Sequence, residues 1–317
     1  MRRLDSSQRY VVRALCLLPP APHPGWARPM NRRGQVLFFA PALLLFFVFV
    51  LFPATETLWD SLHRHEAGRR SWVGLLYYRH ALTDPRFHLS LANNGAYLLW
   101  TLLFEVVVGL VLALGLERNT RLNHWLRVAF FAPSVLSMVV IGLVFGFLFK
   151  DGIGVWPGMF REGRAVLTIS VISGCAACGF FMVIFLAGLA GIPEEVLEAA
   201  RLDGARGWTR FRRIQLPHLR EVLGVALLIC FTGAFKAFDL FWVLVPNQDH
   251  ASLVATRLVQ EVIKFDNRGY GSTLAVLLTV LVLLVTAGIL GVRQWAGRAP
   301  STPPAARPVA GFPESGP

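Results

Sequence analysis

Three charged side chains, Glu105, Lys236 and Asp239, fall inside long apolar runs of this 317-residue sequence. A lone charge at mid-bilayer costs at least about 2.5–3.5 kcal/mol on insertion scales, so such residues pair or line a cavity. Lys236 and Asp239 are three apart, the spacing at which two side chains on one helix can neutralise each other. Glu105, near the middle of its run, is a candidate partner for Lys236 across helices. With Phe235 and Phe238 these residues are the candidates for a polar path through an apolar body; a structural ion pair is the plainer alternative. No catalytic constellation accompanies them. There is no G-x-x-x-x-G-K-[ST] and no His-Glu-x-x-His, so neither nucleotide hydrolysis nor a zinc-protease site is written here. Cys175-x-x-Cys178 has redox spacing but lies in an apolar run without His, which fits two small packing residues. His63-Arg-His65 has no further ligands beside it and reads as a solvated loop.

A second set of residues lies in a basic stretch, 191–221. Pro193 suits the first position of a helix, Glu194 and Glu195 its first turn, and Gly204 its left-handed stop. A helix of about ten residues is too short to stand alone in water and must dock on something. From Trp208 a second helical stretch follows. Trp208, Phe211 and Ile214 make one apolar stripe among Arg206, Arg210, Arg212 and Arg213, and Pro217 marks a boundary. A helix–Gly–helix of this kind fits a protein partner or an anionic lipid surface equally well.

The elements that must position these residues are membrane helices. The sequence is 55% hydrophobic and 16% charged, against about 25% charged in soluble domains. Six segments reach the roughly 20 apolar residues that a crossing needs: Val36–Pro53, Leu91–Leu116, Val128–Phe149, Ala165–Ala190, Val222–Val245 and Thr273–Val292. With the N-terminus in the cytoplasm, the inner segments carry 19 Lys and Arg against 11 in the outer loops. The positive-inside rule then places both termini and loop 191–221 inside. The net charge of +12 is spread between apolar runs and forms no nucleic-acid-binding stripe. Residues 1–35 read as a basic, disordered extension, in which Met30 would serve as a start. Residues 293–317 read as a Pro/Ala-rich disordered tail, leaving 36–292 as the membrane domain.

Glu198-Ala199-Ala200, three residues, Gly204, nine residues and then Ile214-x-Leu216-Pro217 resembles the EAA loop of binding-protein-dependent ABC-importer permeases at every defining position. The likeness runs from about Val36 to Val292 and is closest to the carbohydrate branch, which handles maltose-like oligosaccharides and glycerol phosphate. Leu51-Phe-Pro53, Trp72-Val-Gly-Leu75, Asp84-Pro-Arg-Phe87, Phe130-Phe-Ala-Pro133 and Phe235-Lys-Ala-Phe238-Asp239 carry it further. A Gly-Gly-Pro run usual in the family is replaced by Val245-Pro-Asn-Gln-Asp249.

The resemblance implies an all-α permease subunit of about six transmembrane helices, with no enzymatic activity and no cofactor of its own. ATP and Mg would be bound by a partner. Glu198, Ala199, Ala200, Asp203, Gly204, Ile214, Leu216 and Pro217 would couple the chain to a cytoplasmic ATPase. Ala199 and Ala200 would permit close approach and Glu198 a polar contact. The expected partners are a second permease chain, two ATPase subunits, an extracytoplasmic solute-binding protein and the lipid of a bacterial inner membrane. Two other readings stay open: a permease for amino acids or peptides, and a membrane-embedded enzyme or sensor. The last would need a carboxylate cluster at a membrane face and would leave the 191–221 motif unexplained.

Overall fold

The computed structural model describes residues 32–66, 69–150, 154–245 and 249–297. By internal packing the chain divides into two units, residues 1–55 and 56–317. Helix α1 (Arg32–Phe46) and a wide π-helical turn, Phe47–Leu51, belong to the first, and α2 (Phe52–Asp60) carries the chain into the second. Pro53 explains the turn. It has no N–H to donate, and the N–H of Phe52 reaches five residues back to the Phe47 carbonyl, so the helix widens rather than breaks.

After α2 the second unit continues with a short antiparallel hairpin, β1 (His63–Glu66) and β2 (Arg69–Trp72). His63 is therefore no solvated loop residue. It is buried, its Nδ1 lies 2.8 Å from the Trp59 carbonyl oxygen, and its ring packs on Trp59 and Trp72. Helix α3 (Leu76–Thr83) leads to α4 (Pro85–Thr101), a π-helical turn Leu102–Val107 and α5 (Val108–Gly115). The run Leu91–Leu116 thus begins six residues earlier, at Pro85, because Asp84 caps the helix: its carboxylate accepts from the Arg86 N–H at 2.9 Å and Pro85 occupies the first turn.

The segment Val128–Phe149 is not one straight span. Helix α6 (Arg121–Phe131), a 3₁₀ turn (Ala132–Val135) and α7 (Met138–Leu148) form a pair bent by 93°. Pro133 opens the 3₁₀ turn, and Leu136 and Ser137 are extended. Among the described residues five helices are long and apolar enough to cross a membrane, or six if the bent pair counts as one span.

Helix α8 (Ala165–Ala190, 26 residues) is the axis of the unit, and most of its side chains are buried. Its small residues let neighbours close on its backbone. A Cβ at Gly174 would meet Phe104, and one at Gly179 would meet the backbone of Phe130 and Phe131. Two clusters form along it, one around Ile169, Ile172 and Phe241, the other around Met182, Phe185 and Leu219. Cys178 is buried within this packing.

After α9 (Glu194–Leu202), α10 (Gly207–Arg210) leads through a π-helical turn, Phe211–Gln215, into α11 (Leu216–Lys236). Then come α12 (Asp239–Leu244), a 3₁₀ turn (Asp249–Ala251), α13 (Val254–Ile263) and α14 (Arg268–Gly297). Helix covers residues 32–35 of the expected extension and 293–297 of the expected tail, the parts next to the membrane domain. The rest of those two segments lies outside the described residues.

At the end of the unit remote from α9, α4, α13 and α14 are tied by polar groups. Asn94, fully buried, donates to the Ala234 carbonyl and accepts from the Val254 N–H. Buried Arg257 pairs with Asp249 and Glu261, and the Tyr270 hydroxyl donates to Asp84 at 2.8 Å. Burial pushes the Asp84 carboxyl up, but the Tyr270 hydroxyl, the Arg86 N–H and the charges of Arg257 and His80 outweigh it. The result lies below the ordinary value of 3.8. At Glu261 burial prevails over Arg257 and the carboxyl is raised. A depressed acid stabilises the fold above its unfolded value and loses that contribution as pH falls through the folded one.

Two outcomes test this packing. Gly179→Val, forced against backbone, should cost about 1–3 kcal/mol or more, read as a lowered melting temperature in detergent. Gly288→Ala, where an added Cβ meets nothing within 4 Å, should leave it unchanged. Asp84→Ala removes the cap and the Tyr270 acceptor and should cost roughly 1–2 kcal/mol near pH 7. In melting curves from pH 7 to 3 the gap between Asp84→Ala and the unmodified chain should close in acid.

Candidate functional site

The 191–221 motif folds as a helix, a stop and a second helix. Pro193 stands just before α9 rather than at its first position. The stop at Gly204 is left-handed, with φ of +74°. The Ala205 N–H bonds to the Ala200 carbonyl at 2.9 Å and the Gly204 N–H to that of Arg201 at 3.1 Å, the pairing that closes a helix through a glycine. A second left-handed glycine, Gly207 at φ +49°, starts α10.

The site residues divide by exposure. Glu198, Ala199, Asp203, Gly204 and Pro217 are exposed, and Ile214 and Leu216 are half-buried. Ala200 is only 6% exposed and faces its own chain, so of the two alanines only Ala199 is open to a partner. Leu202 is 90% and Trp208 71% exposed, an apolar tip on either side of the glycine turn. Of the expected stripe Trp208, Phe211, Ile214, the first two rings pack together at 5.2 Å, with Trp208 largely exposed and Phe211 and Ile214 half-buried. The π-helical turn Phe211–Gln215 shifts the register, and Gln215 takes the buried position. Pro217 causes this. It cannot donate, the N–H of Leu216 reaches back to the Phe211 carbonyl, and the helix runs on where a boundary was expected.

What holds the loop to the membrane helices is an acid not singled out from the sequence. Glu117 accepts from Arg210 Nη2 at 2.7 Å and from Gln215 Nε2 at 2.9 Å. Arg127 fixes the segment carrying Glu117 by donating to the Leu116 carbonyl at 2.6 Å and to that of Glu117 at 3.2 Å. Leu197 on α9 packs against the cluster around Phe185. The signal was a carboxylate at a helix end among arginines, which is too common to stand out.

The second site is a cavity of about 330 Å³ between α4, α8 and α11, lined in part by Tyr97, Glu105, Ser173, Phe180, Lys236 and Asp239. Glu105 lies in the turn Leu102–Val107, where the Val108 N–H passes over its regular acceptor to reach Leu103 and Glu105 carbonyls. Ser173 Oγ donates to Glu105 Oε1 at 2.7 Å, and the Tyr97 hydroxyl donates to Ser173 at 3.1 Å. The expected Glu105–Lys236 and Lys236–Asp239 pairs are not formed. Helix α11 ends at Lys236, Ala237 is extended, and Asp239 opens α12, so the two residues do not share a helix. Phe238 lines the cavity while Phe235 is buried behind it against Phe231. Tyr97, Thr101 and Ser173 were missed because single hydroxyls in apolar helices usually bond their own backbone, as Thr101 does to the Tyr97 carbonyl. Among the described residues no three His, Cys, Asp or Glu are grouped to hold a metal.

Residues 105–294 match the family model of the binding-protein-dependent transport system inner membrane component. The chain belongs to this family. It is a multi-pass membrane transport subunit rather than an enzyme. Its relatives include the arabinooligosaccharides transport system permease protein AraP of Bacillus subtilis, 31% identical over 81% of this chain and 87% of that one. The trehalose transport system permease protein SugA of Mycobacterium tuberculosis is 28% identical over 89% and 94%. A chain of a bacterial alginate ABC transporter, solved with an alginate pentasaccharide-bound periplasmic protein, shares the fold. Its TM-score is 0.69 at 17% identity, covering 81% of this chain and 93% of that one.

The Glu117 staple gives a direct expectation for this family member. Glu117→Ala strands the buried Gln215 amide, which costs roughly 1–3 kcal/mol. Protease nicking within 191–221 should rise by about tenfold in the membrane-inserted chain. Gln215→Leu combined with Glu117→Ala should restore much of the protection.

Proposed function

We propose that this permease forms half of the pathway of an ATP-driven importer for a sugar or related polar solute. A second permease chain, similar or identical, supplies the other half. Two ATPase subunits, which bind ATP and Mg, sit on the cytoplasmic side, and a solute-binding protein delivers solute from the other. Both termini and loop 191–221 are cytoplasmic, in the inner membrane of a bacterium. Carbohydrate relatives in several bacteria support the solute class. The 191–221 loop carries the coupling assignment: a short helix stopped by left-handed Gly204, with Leu202 and Trp208 exposed beside the turn and Ala199 open for close approach.

The loop enters a cleft on the ATPase, with Glu198 and Asp203 as polar contacts. Ile214, Leu216 and Pro217 lie at its return into the membrane. When the ATPases close, the loop moves and α11 tilts with it, so the cavity beside Lys236 opens to alternate sides. Solute passes by Glu105, Phe238 and Asp239, while Phe235 supports the wall from behind.

Gly204→Val tests the coupling role. An added side chain meets nothing within 4 Å, so its cost is that of a left-handed backbone, about 1–2 kcal/mol. Insertion should be normal, while co-purification of the ATPase subunit falls about tenfold. A cysteine replacing Ala199 should crosslink to that subunit. Crosslinks to lipid alone, or unchanged uptake by Gly204→Val, would remove the coupling assignment.

A further inference from the structure

A cavity of about 690 Å³ belongs to neither site above, and its volume falls in the range of roughly 300–1,000 Å³ that ligand pockets occupy. It lies between α7, α12 and the loop 154–164. That loop leads into one end of α8 and α9 follows the other, so the cavity and loop 191–221 stand at opposite ends of α8. Its wall changes character along α7. Toward the bend it is apolar, formed by Leu143, Phe147, Val243 and Leu244, with Gly142 and Gly146 letting α12 close on α7. Leu143 is 61% and Phe147 65% exposed. Toward the end of the helix the wall is charged, with Lys150, Arg161 and Glu162 all exposed. The change from Gly142 to Lys150 takes about 12 Å at 1.5 Å per residue. Among the described residues neither Lys150 nor Arg161 is paired with a carboxylate. His250 Nε2, also at the wall, faces the Phe160 carbonyl oxygen at 3.4 Å. Beside this rim Phe149 packs on Phe160 and on the exposed Trp156, an amphipathic ring of the kind that membrane–water interfaces favour.

We propose that this cavity seats an anionic phospholipid of the leaflet away from loop 191–221, its phosphodiester between Lys150 and Arg161 and an acyl chain in the groove past Phe147 and Leu143. The wall is complementary to that molecule in both halves. Two cations and Glu162 leave one net positive charge at the rim, which a single phosphodiester neutralises at the edge of a poorly screening medium, where attraction is strong. A dissolved anion would meet the cations and leave the groove empty. A hydrocarbon alone would fill the groove and leave the cations without a counter-charge. A second permease chain over the same face would have to bring an acid of its own to the rim. Seated there, the lipid joins α7 to the loop 154–164 through its charge and to α12 through its chain.

Native mass spectrometry of the assembled complex, released from detergent, reads bound lipid directly. Dioleoyl phosphatidylglycerol is the probe. Dioleoylglycerol supplies the same chains without phosphate, and glycerophosphoglycerol the head group without chains. The unmodified complex should hold one more phosphatidylglycerol per copy of this chain than the complex carrying both Lys150→Gln and Arg161→Gln, whose affinity for it should fall about tenfold. Both side chains are exposed, so assembly should be unchanged. Lys150→Arg keeps the charge and should bind within about threefold. Dioleoylglycerol and glycerophosphoglycerol, each matching one half of the site, should bind about tenfold more weakly than the whole lipid. In native membranes p-benzoylphenylalanine in place of Phe147 should photocrosslink to lipid. Equal lipid counts in the double variant, dioleoylglycerol or glycerophosphoglycerol held as well as the whole lipid, or crosslinks from position 147 that reach protein and no lipid each overturn the proposal.

Discussion

A peptide group in hydrocarbon has no water to bond, so every backbone N–H and C=O in a membrane span must find a partner inside the protein. Proline violates that rule by construction, and this chain places prolines at Pro53, Pro133 and Pro217. At Pro53 and Pro217 the helix widens into a π-helical turn, and the preceding N–H reaches five residues back. At Pro133 the chain takes a 3₁₀ turn and then two extended residues, giving the 93° bend. The difference follows from what comes next. Phe52 and Leu216 continue as helix, whereas Leu136 and Ser137 have left helical backbone angles.

The repair at Pro217 has a mechanical consequence. Helical backbone runs from Gly207 to Lys236 without a break, about 45 Å at 1.5 Å per residue. One end begins beside the left-handed Gly204 turn and the other ends at the cavity wall. A boundary at Pro217 would have placed a flexible joint between them. The π-helical turn keeps the element continuous while turning Gln215 inward to meet Glu117. The loop and the cavity wall are therefore joined by one continuous helical element.

The apolar spans were legible because hydrocarbon thickness imposes a length that composition reveals directly. Ala165–Ala190 was read to the residue, and the short helix ended by Gly204 follows from local propensities that nothing in the tertiary structure overrides. The misreadings share one cause, which is that a helical period assumes regular backbone. Lys236 and Asp239 were paired on one helix, but the chain breaks at Ala237. Trp208 and Phe211 keep the spacing, their rings 5.2 Å apart, but a wide turn intervenes before Ile214. Glu105 was matched to Lys236 by charge, whereas geometry gave it Ser173 at 2.7 Å. Partners distant in sequence, Glu117 with Arg210 or Asn94 with Val254, leave no local pattern to read.

Glu105 shows why an expensive group persists. A carboxylate in a membrane span is tolerated when hydrogen bonds and a cavity offset its desolvation. Here Ser173 meets one carboxylate oxygen, the Tyr97 hydroxyl in turn meets Ser173, and the side chain lies at the wall of a cavity. Tyr97 and Ser173 belong to α4 and α8, so the acid also ties those two helices together. Removing the Ser173 hydroxyl would leave a desolvated carboxyl without its protein partner, which costs more than the bond itself contributes.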